Sequence, residues 1–314
     1  MARKWKALAA VFIVVFLGFF ILNGILRAFT FKNLLTSSKW NGNSPFVAVF
    51  FGKVPSLVVF NKEREKVVVL EIPADVSLGD APNQSLTLGE VYKGEDEVKT
   101  VKALERQIGI NILSFATFKD GAGASGSDLA RETFGNLGSL KGGIRAGLIG
   151  ESAFFKRTNI TRIELLRLWW QVNGIGKKTP DTIDGSRFTS EVAVSGGKIR
   201  VLDRESLHRE LDKYLEVKDI ADKKINLEVV NSSGVAGLGQ IVGEMAAAWG
   251  FNVTRITSGE ATIAKCQITG FDKGQDAANY LANVFGCDIV GKSNGAQDNK
   301  ITIILGSNVA GKYF

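Results

Sequence analysis

The chain has 314 residues, a formal net charge of +7 and 45% hydrophobic residues, a composition typical of an ordered protein. Its excess positive charge lies in residues 1–40, which hold six basic residues and no acidic one, so the rest of the chain is nearly neutral. A nucleic-acid-binding domain usually carries its basic excess on the folded body. The charge distribution therefore excludes that class, and we expect no nucleic-acid partner.

Residues 7–26 form an apolar segment in which Asn23 is the only strongly polar side chain. A helix of this length spans about 30 Å, the thickness of the hydrocarbon core of a bilayer. A cleaved signal peptide is the alternative, but the segment is longer than usual and bulky residues follow it. The basic tail 1–6 predicts a cytoplasmic N-terminus, and hence a single-pass protein of the cell membrane with an extracytoplasmic bulk.

Residues 45–215 are predicted to form a mixed-sheet domain, because apolar and β-branched runs alternate with amphipathic helical patterns. The strands are expected at 46–51, 57–60, 67–72, 112–118, 192–194 and 198–202, and the helices at 95–108, 160–172 and 203–215. The glycine-rich stretch 119–150 indicates either a mobile loop over a cleft or close backbone packing. The charged segment 216–224 lacks an apolar stripe and is predicted to be a linker.

The predicted helix at 160–172 starts with Thr161 and Glu164, which have the spacing of a capping box. Its apolar residues cover most of the circumference, which predicts a central and buried helix.

Three stretches of this domain carry a resemblance. They are VVVLEIPADVSL (67–78), DEVKTVKALERQIGI (96–110) and KRTNITRIELLRLWW (156–170). They resemble the LytR–CpsA–Psr family, whose members are membrane-anchored, extracytoplasmic enzymes that transfer glycopolymers from polyprenyl-pyrophosphate carriers to the bacterial cell wall. The resemblance implies an envelope protein whose partners are the lipid bilayer and either a cell-wall polymer or an envelope protein.

The family's Ile-Pro-Arg-Asp motif is only partly present, since Ile72, Pro73 and Asp75 match but Ala74 replaces the arginine. The preceding stretch 50–60 lacks the aspartate and arginine with which the family holds metal and pyrophosphate. The remnants that the resemblance implies are Asp75, Arg157 and Arg162. Pyrophosphate transfer needs cations or a metal to neutralise the developing charge. We therefore predict a degenerate, non-catalytic scaffold or binder without metal or cofactor; the alternative is a divergent glycopolymer phosphotransferase that uses Mg²⁺ and a polyprenyl-pyrophosphate-linked substrate.

Residues 225–314 read as β-α-β-β-α-β, the order of a split-βαβ, ferredoxin-like domain, so the whole ectodomain is of the α/β (α+β) class. The glycine-rich loop within VVNSSGVAGLGQIVGEMAAAWGF (229–251) has the spacing G-x-x-G-x-G, which fits neither the dinucleotide nor the phosphate-loop fingerprint. We predict a structural connection, with ligand or polymer contact as the alternative. The residues that would make this contact are Asn231, Ser232, Ser233 and Gly234.

Two pieces of this segment, NLEVVNSSGVAGLGQIVGEMAAAWGFNV and ITIILGSNVAG, closely resemble the C-terminal domain found on many LytR–CpsA–Psr proteins. The resemblance implies an envelope-facing module without catalytic residues.

Two cysteines and one histidine complete the candidates for chemistry. Cys266 and Cys287 are too far apart for a zinc pattern, so we expect two buried apolar side chains, with a disulfide as the alternative in an oxidising compartment. His208 lies in a strongly charged helical pattern and is predicted to be exposed, which argues against a Ser/His/Asp triad.

Overall fold

A computed structural model describes residues 38–78, 86–93, 96–118, 123–175, 179–194, 197–270, 274–291 and 299–313. The predicted tail 1–6 and the predicted anchor 7–26 lie outside the described residues. Within the described ranges, no helix has the length and apolar character needed to cross a membrane.

A six-stranded mixed sheet forms the centre of the first domain. Its strands are β1 (Phe46–Phe51), β2 (Pro55–Asn61), β3 (Lys66–Glu71), β4 (Ser114–Thr117), β5 (Arg157–Thr158) and β6 (Asp181–Asp184). The order across the sheet is β5-β4-β1-β2-β3-β6. The first three strands pair antiparallel in succession, while β4 lies parallel to β1 and β6 parallel to β3. The strands β1 and β3 therefore run in the same direction.

Helices cover both faces of this sheet, which explains why every residue of β1 and β2 is buried. The helices are α1 (Leu88–Lys93), α2 (Glu97–Ile108), α3 (Gly126–Leu137), α4 (Leu140–Leu148), α5 (Arg162–Asn173) and α6 (Arg204–Leu215). Alternation along β1 sends Val47, Val49 and Phe51 to a core shared with α2 and α6. Phe46 and Phe50 point to a second core, shared with α3, α4 and α5. A separate two-stranded hairpin is formed by β7 (Thr189–Val194) and β8 (Gly197–Leu202).

The described part of the glycine-rich stretch consists mainly of the helices α3 and α4, which pack closely at several of its glycines. A Cβ atom on Gly143 of α4 would lie 2.2 Å from the ring of Trp169, so only glycine lets α4 approach α5 at this point. Of the two alternatives for residues 119–150, close backbone packing is confirmed at Gly126, Gly142 and Gly143. Residues 119–122 lie outside the described ranges.

The predicted helix at 160–172 is present as α5, and both hydrogen bonds of its capping box form between Thr161 and Glu164. The expectation of burial all round was wrong, because only one side of α5 faces the core. Trp170 is 74% exposed.

The second domain is built on a five-stranded sheet. Its elements are α7 (Lys218–Lys223), β9 (Asn226–Asn231), α8 (Leu238–Ala248), β10 (Asn252–Ser258), β11 (Gln267–Thr269), α9 (Gln275–Phe285), β12 (Asp288–Gly291), β13 (Lys300–Leu305) and α10 (Ser307–Tyr313). The strand order is β10-β9-β13-β11-β12, in which β10 lies beside and parallel to β9, and β12 beside and parallel to β11. A split-βαβ unit would place another strand inside each of these pairs. The structure therefore differs from the predicted ferredoxin-like arrangement: β13 lies between two unsplit βαβ units, because it pairs with both β9 and β11.

The segment 216–224, predicted to be a linker, is part of the second domain. It contains α7, and Val217 and Ile220 are buried in the same core as Leu227 and Leu281. The backbone N–H of Val217 also donates to the carbonyl oxygen of Trp249 at 3.1 Å. Two apolar residues three positions apart, Val217 and Ile220, are enough to pack this otherwise charged segment on the second core.

Cys266 and Cys287 form a disulfide, so the expectation of two free buried thiols was wrong. The bond joins the residues that directly precede β11 and β12. Because these strands lie side by side, their entry points are adjacent, although 21 positions separate the two cysteines in the chain.

Candidate functional site

The remnants Asp75, Arg157 and Arg162 lie on different elements. Asp75 follows β3 and forms an ion pair of 3.0 Å with Arg200 of the hairpin. Arg157 lies on β5, and three strands separate β5 from β3, which puts these strands about 19 Å apart at the usual spacing. Asp75 and Arg157 are therefore not brought into one centre.

Each arginine remnant has a structural neighbour of its own. Arg157 forms an ion pair of 2.9 Å with Glu97, whose carboxylate is 10% exposed and also accepts a hydrogen bond from the hydroxyl of Thr117 at 3.1 Å. Glu97 is in the first turn of α2, where a carboxylate is favoured by the helix dipole. Arg162 is the first residue of α5, and its guanidinium packs against Gly150. A Cβ atom added to Gly150 would lie only 2.9 Å from the Arg162 Nε. Among the described residues, no group of three or more His, Cys, Asp or Glu side chains could hold a metal ion.

The predicted binding loop lines a shallow cleft of about 240 Å³. Its polar groups bond mainly to each other: the Asn231 amide oxygen accepts from the Ser233 hydroxyl at 2.6 Å, and its NH₂ donates to the Val235 carbonyl at 2.8 Å. Ser232 and Ser233 are nearly buried, and Gly234 has a φ of +80°, a conformation that favours glycine. These contacts support the interpretation of the loop as a structural connection.

A larger cleft of about 710 Å³ lies between the two domains. Its walls come from the residues before β1, from α2 and the segment after it, and from α9 and α10. Three lysines line it, each from a different element or segment: Lys39, Lys102 and Lys312. Three amide side chains also line it: Asn41, Asn111 and Asn283. With two tyrosines as well, the cleft offers cations, hydrogen-bonding amides and aromatic rings to one ligand.

Glu105 lies in the wall of this cleft with only 9% of its surface exposed. Burial raises the pKa of its carboxyl to about 7, although a hydrogen bond of 2.7 Å from the Ile112 N–H and the nearby lysines favour the charged form. Burial also lowers the pKa of Lys312 and raises the pKa of the Tyr280 and Tyr313 hydroxyls. The two tyrosines are therefore neutral hydrogen-bonding groups at physiological pH.

The helix α6 makes one ion pair with the second domain and further contacts within the first. Arg204 of α6 forms an ion pair with Glu244 of α8. The His208 Nε2 lies 2.6 Å from the carbonyl oxygen of Ile108, and its Nδ1 lies 3.3 Å from Asp212. Burial by itself lowers the pKa of His208, but these two hydrogen bonds raise it overall. The expectation of an exposed histidine was wrong, because the charged helix packs its His208 side against the end of α2.

The interdomain cleft was not predicted from the sequence. A carboxylate at position 105, beside the apolar residues Leu104 and Ile108 of the buried stripe of α2, was the one signal that could have indicated it. The three lysines are about 60 to 270 positions apart in the chain, and they converge because the two domains pack together.

Comparison with known proteins matches the second domain to a family. Residues 224–308 match the family model LytR_C, described as the LytR cell envelope-related transcriptional attenuator. No curated protein matches the chain at a significant level.

Solved structures similar to this chain include the transcriptional regulator yvhJ from Bacillus subtilis, which is 16% identical, with 55% of this chain and 98% of the other covered and a TM-score of 0.38. TagT from B. subtilis is 13% identical over 56% of this chain and 93% of its own, again with a TM-score of 0.38. A third is the LytR-CPS2A-psr family protein YwtF (TagT) with bound octaprenyl pyrophosphate lipid, 12% identical over 56% and 92%, with a TM-score of 0.38. The match at residues 224–308 confirms the predicted resemblance of the second domain to the LytR C-terminal domain.

Proposed function

We propose that this chain is a membrane-anchored, extracytoplasmic cell-envelope protein that binds an anionic cell-wall polymer in its interdomain cleft and does not catalyse its transfer. The LytR C-terminal domain supports a role in the envelope. The apolar segment 7–26 supports anchoring. The disulfide supports an extracytoplasmic location, because such bonds persist in oxidising compartments.

The observation that carries this proposal is the position of the polar cleft relative to the motif at Ile72–Asp75. The cleft reaches Ser44 and Leu113, which lie at the N-terminal ends of β1 and β4. The motif follows the C-terminal end of β3, which runs in the same direction as β1. A six-residue strand is about 20 Å long, so the cleft and the motif lie at opposite ends of the strands of this sheet.

The lining of the cleft indicates what it would bind. Lys39, Lys102 and Lys312 outnumber the single carboxylate of Glu105 and favour an anionic group such as a phosphate or carboxylate. Amide side chains and tyrosine rings suit hydroxyl-rich sugar or polyol units. A volume of about 710 Å³ is within the usual range of ligand sites. The proposed ligand is therefore a segment of a phosphate- or carboxylate-bearing polymer.

The binding test uses the full chain in detergent and a purified polyol-phosphate wall polymer. The triple variant Lys39→Gln, Lys102→Gln, Lys312→Gln should bind about tenfold more weakly or worse, from three lost charged contacts. Its matched control changes three lysines outside the cleft: Lys198, Lys223 and Lys265. An equal loss in both variants would show that the attraction is only to the net charge of the protein.

The catalytic test supplies a polyprenyl-pyrophosphate-linked glycopolymer and Mg²⁺ to the same preparation. We expect no release of polyprenyl phosphate or pyrophosphate. Turnover that disappears in Asp75→Ala would contradict this expectation and favour the divergent phosphotransferase.

A further inference from the structure

The helix α4 exposes an apolar face to solvent. Leu140, Ile144 and Leu148 are 72%, 53% and 76% exposed. Their spacing of four residues places them on one side of the helix. Contiguous apolar surface of this kind marks an interaction site in a soluble domain, whereas single exposed apolar residues are common.

A tryptophan lies next to this helix. The other side of α4 packs on α5, where the indole N–H of Trp169 donates to the Ser139 carbonyl oxygen at 3.1 Å. The ring of the exposed Trp170 lies 6.1 Å from that of Trp169. Ile149, directly after α4, is 54% exposed. The apolar surface therefore extends from α4 towards α5.

The charge on α4 is entirely basic. Its nine residues, LKGGIRAGL, include Lys141 and Arg145, both exposed, and no acidic residue. On a helical projection these two positions flank the apolar side, and the buried Gly142, Gly143 and Ala146 lie opposite it. A helix with an apolar face, a basic flank and a neighbouring tryptophan is typical of a segment that lies in a membrane interface.

The start of the described chain is fixed on α5, the helix against which α4 packs. The backbone N–H groups of Lys39 and Trp40 donate to the Glu164 carboxylate of α5 at 2.8 and 2.9 Å, and Arg167 of α5 donates to the Ser38 hydroxyl at 2.8 Å. Eleven residues separate Ser38 from the end of the apolar segment 7–26, and they can reach at most about 40 Å. A tether of this length, fixed on α5, allows the neighbouring helix α4 to reach the surface of the bilayer from which the chain would emerge.

We infer that this face, formed by Leu140, Ile144, Leu148, Ile149 and Trp170, docks on the outer surface of a lipid bilayer that contains anionic lipid. Lys141 and Arg145 contact the headgroups, and the apolar side chains enter the boundary between headgroups and acyl chains. Docking fixes the orientation of the first domain relative to the membrane. The inference rests on the anchor in the proposed function.

The test uses the full chain in nanodiscs of phosphatidylcholine and phosphatidylglycerol that carry a nitroxide-labelled lipid. Both native cysteines are in the disulfide, so Ile144→Cys supplies a single thiol for a fluorophore. Fluorescence at this position should be quenched by roughly half or more, because such a face lies about 5–10 Å deep in the interface. A label at Val290→Cys, on an exposed strand of the second domain, should change little.

A double variant of exposed residues tests the same inference without a change to the core of the domain. Leu140→Asp with Leu148→Asp changes two exposed side chains and should abolish the quenching at position 144. The matched control, Val98→Asp with Val192→Asp, changes exposed apolar residues elsewhere and should leave the quenching intact.

Three results would overturn the inference. A label at position 144 that stays unquenched in nanodisc-bound protein would do so. So would a label that is shielded from water but unquenched, since a second copy or another part of the chain would then cover the face. A chain that does not remain with the nanodiscs would refute the anchor as well, and this outcome separates failure of the proposed function from failure of docking alone.

Discussion

Two opposing effects set the pKa of the Glu105 carboxyl. Removal from water favours the protonated carboxyl, while the Ile112 N–H and three lysines favour the carboxylate, and the pKa settles at about 7 instead of the ordinary 4.5. Between these two values the folded state keeps a proton that the unfolded state has lost. The free energy of unfolding therefore falls as the pH rises from about 4.5 to about 7, by at most about 3 kcal/mol.

The variant Glu105→Gln should remove this pH dependence, because glutamine keeps an oxygen that accepts from Ile112 but does not titrate. We expect urea unfolding to give the variant a higher free energy of unfolding than the native protein at pH 8. At pH 5 the difference between the two proteins should be smaller. Glu132→Gln, on an exposed face of α3, serves as control and should leave the slope unchanged. Identical slopes for Glu105→Gln and the native protein would contradict a buried titrating carboxyl.

Single residues could be predicted where their neighbours in the chain decide their role. Thr161 and Glu164 form the predicted capping box, because both partners lie within one helical turn. His208 was predicted wrongly, because its carbonyl partner at Ile108 is 100 positions away. The convergence of Lys39, Lys102 and Lys312 was not predicted for the same reason, because these residues are also distant in the chain.

At the scale of elements, most helices and strands of both domains follow from hydrophobic periodicity. The glycine-rich stretch is the exception, since glycine costs a helix about 1 kcal/mol relative to alanine. Serine caps help to offset this cost: Ser125 accepts from the Asp128 N–H, and Ser139 accepts from the Gly142 N–H. Gly143 adds the close contact with Trp169, which periodicity does not reveal.

Two glycines of α4 give opposite predictions for the same substitution. Gly143→Ala should lower the free energy of unfolding by about 1–3 kcal/mol, because the added methyl group overlaps the Trp169 ring. Gly147→Ala meets only Leu166, at an ordinary 3.6 Å, and should stabilise the helix by up to about 1 kcal/mol. Thermal and urea unfolding measure both. Equal effects of the two variants would contradict the packing of α4 on α5.

For the whole molecule, the strands after position 225 were expected in a sheet of their own and lie in one, but the order of the strands in this sheet could not be predicted. The strand β13 was expected to close the second domain and instead lies at the centre of its sheet, between β9 and β11. Its position depends on pairing with strands that are distant in the chain, which local patterns do not specify. Residues 216–224 were assigned to a linker for a related reason. Val217 and Ile220 pack on residues of the second core that are distant in the chain.

The boundary gives a prediction for two fragments of different length. Residues 216–314 should fold alone and cooperatively, because they contain every side chain of the second core, including Trp249 at 4% exposure. Residues 225–314 lack Val217 and Ile220 and should lose several kcal/mol of stability, since burial of each side chain is worth about 1.5–3 kcal/mol. They also lose the hydrogen bond from the Val217 N–H to Trp249.

Tryptophan fluorescence measures both fragments, because Trp249 is the only tryptophan after position 170. The longer fragment should emit at short wavelength and shift to the red in a single urea transition, with the shorter one unfolding at lower urea. Trp249→Ala in the longer fragment, followed by circular dichroism, should cost about 3–5 kcal/mol. If both fragments unfold at the same urea concentration, the segment 216–224 is the linker that its charge pattern predicted. A water-like emission from the longer fragment in native buffer, unchanged by urea, would instead show that the second domain depends on the first for its core.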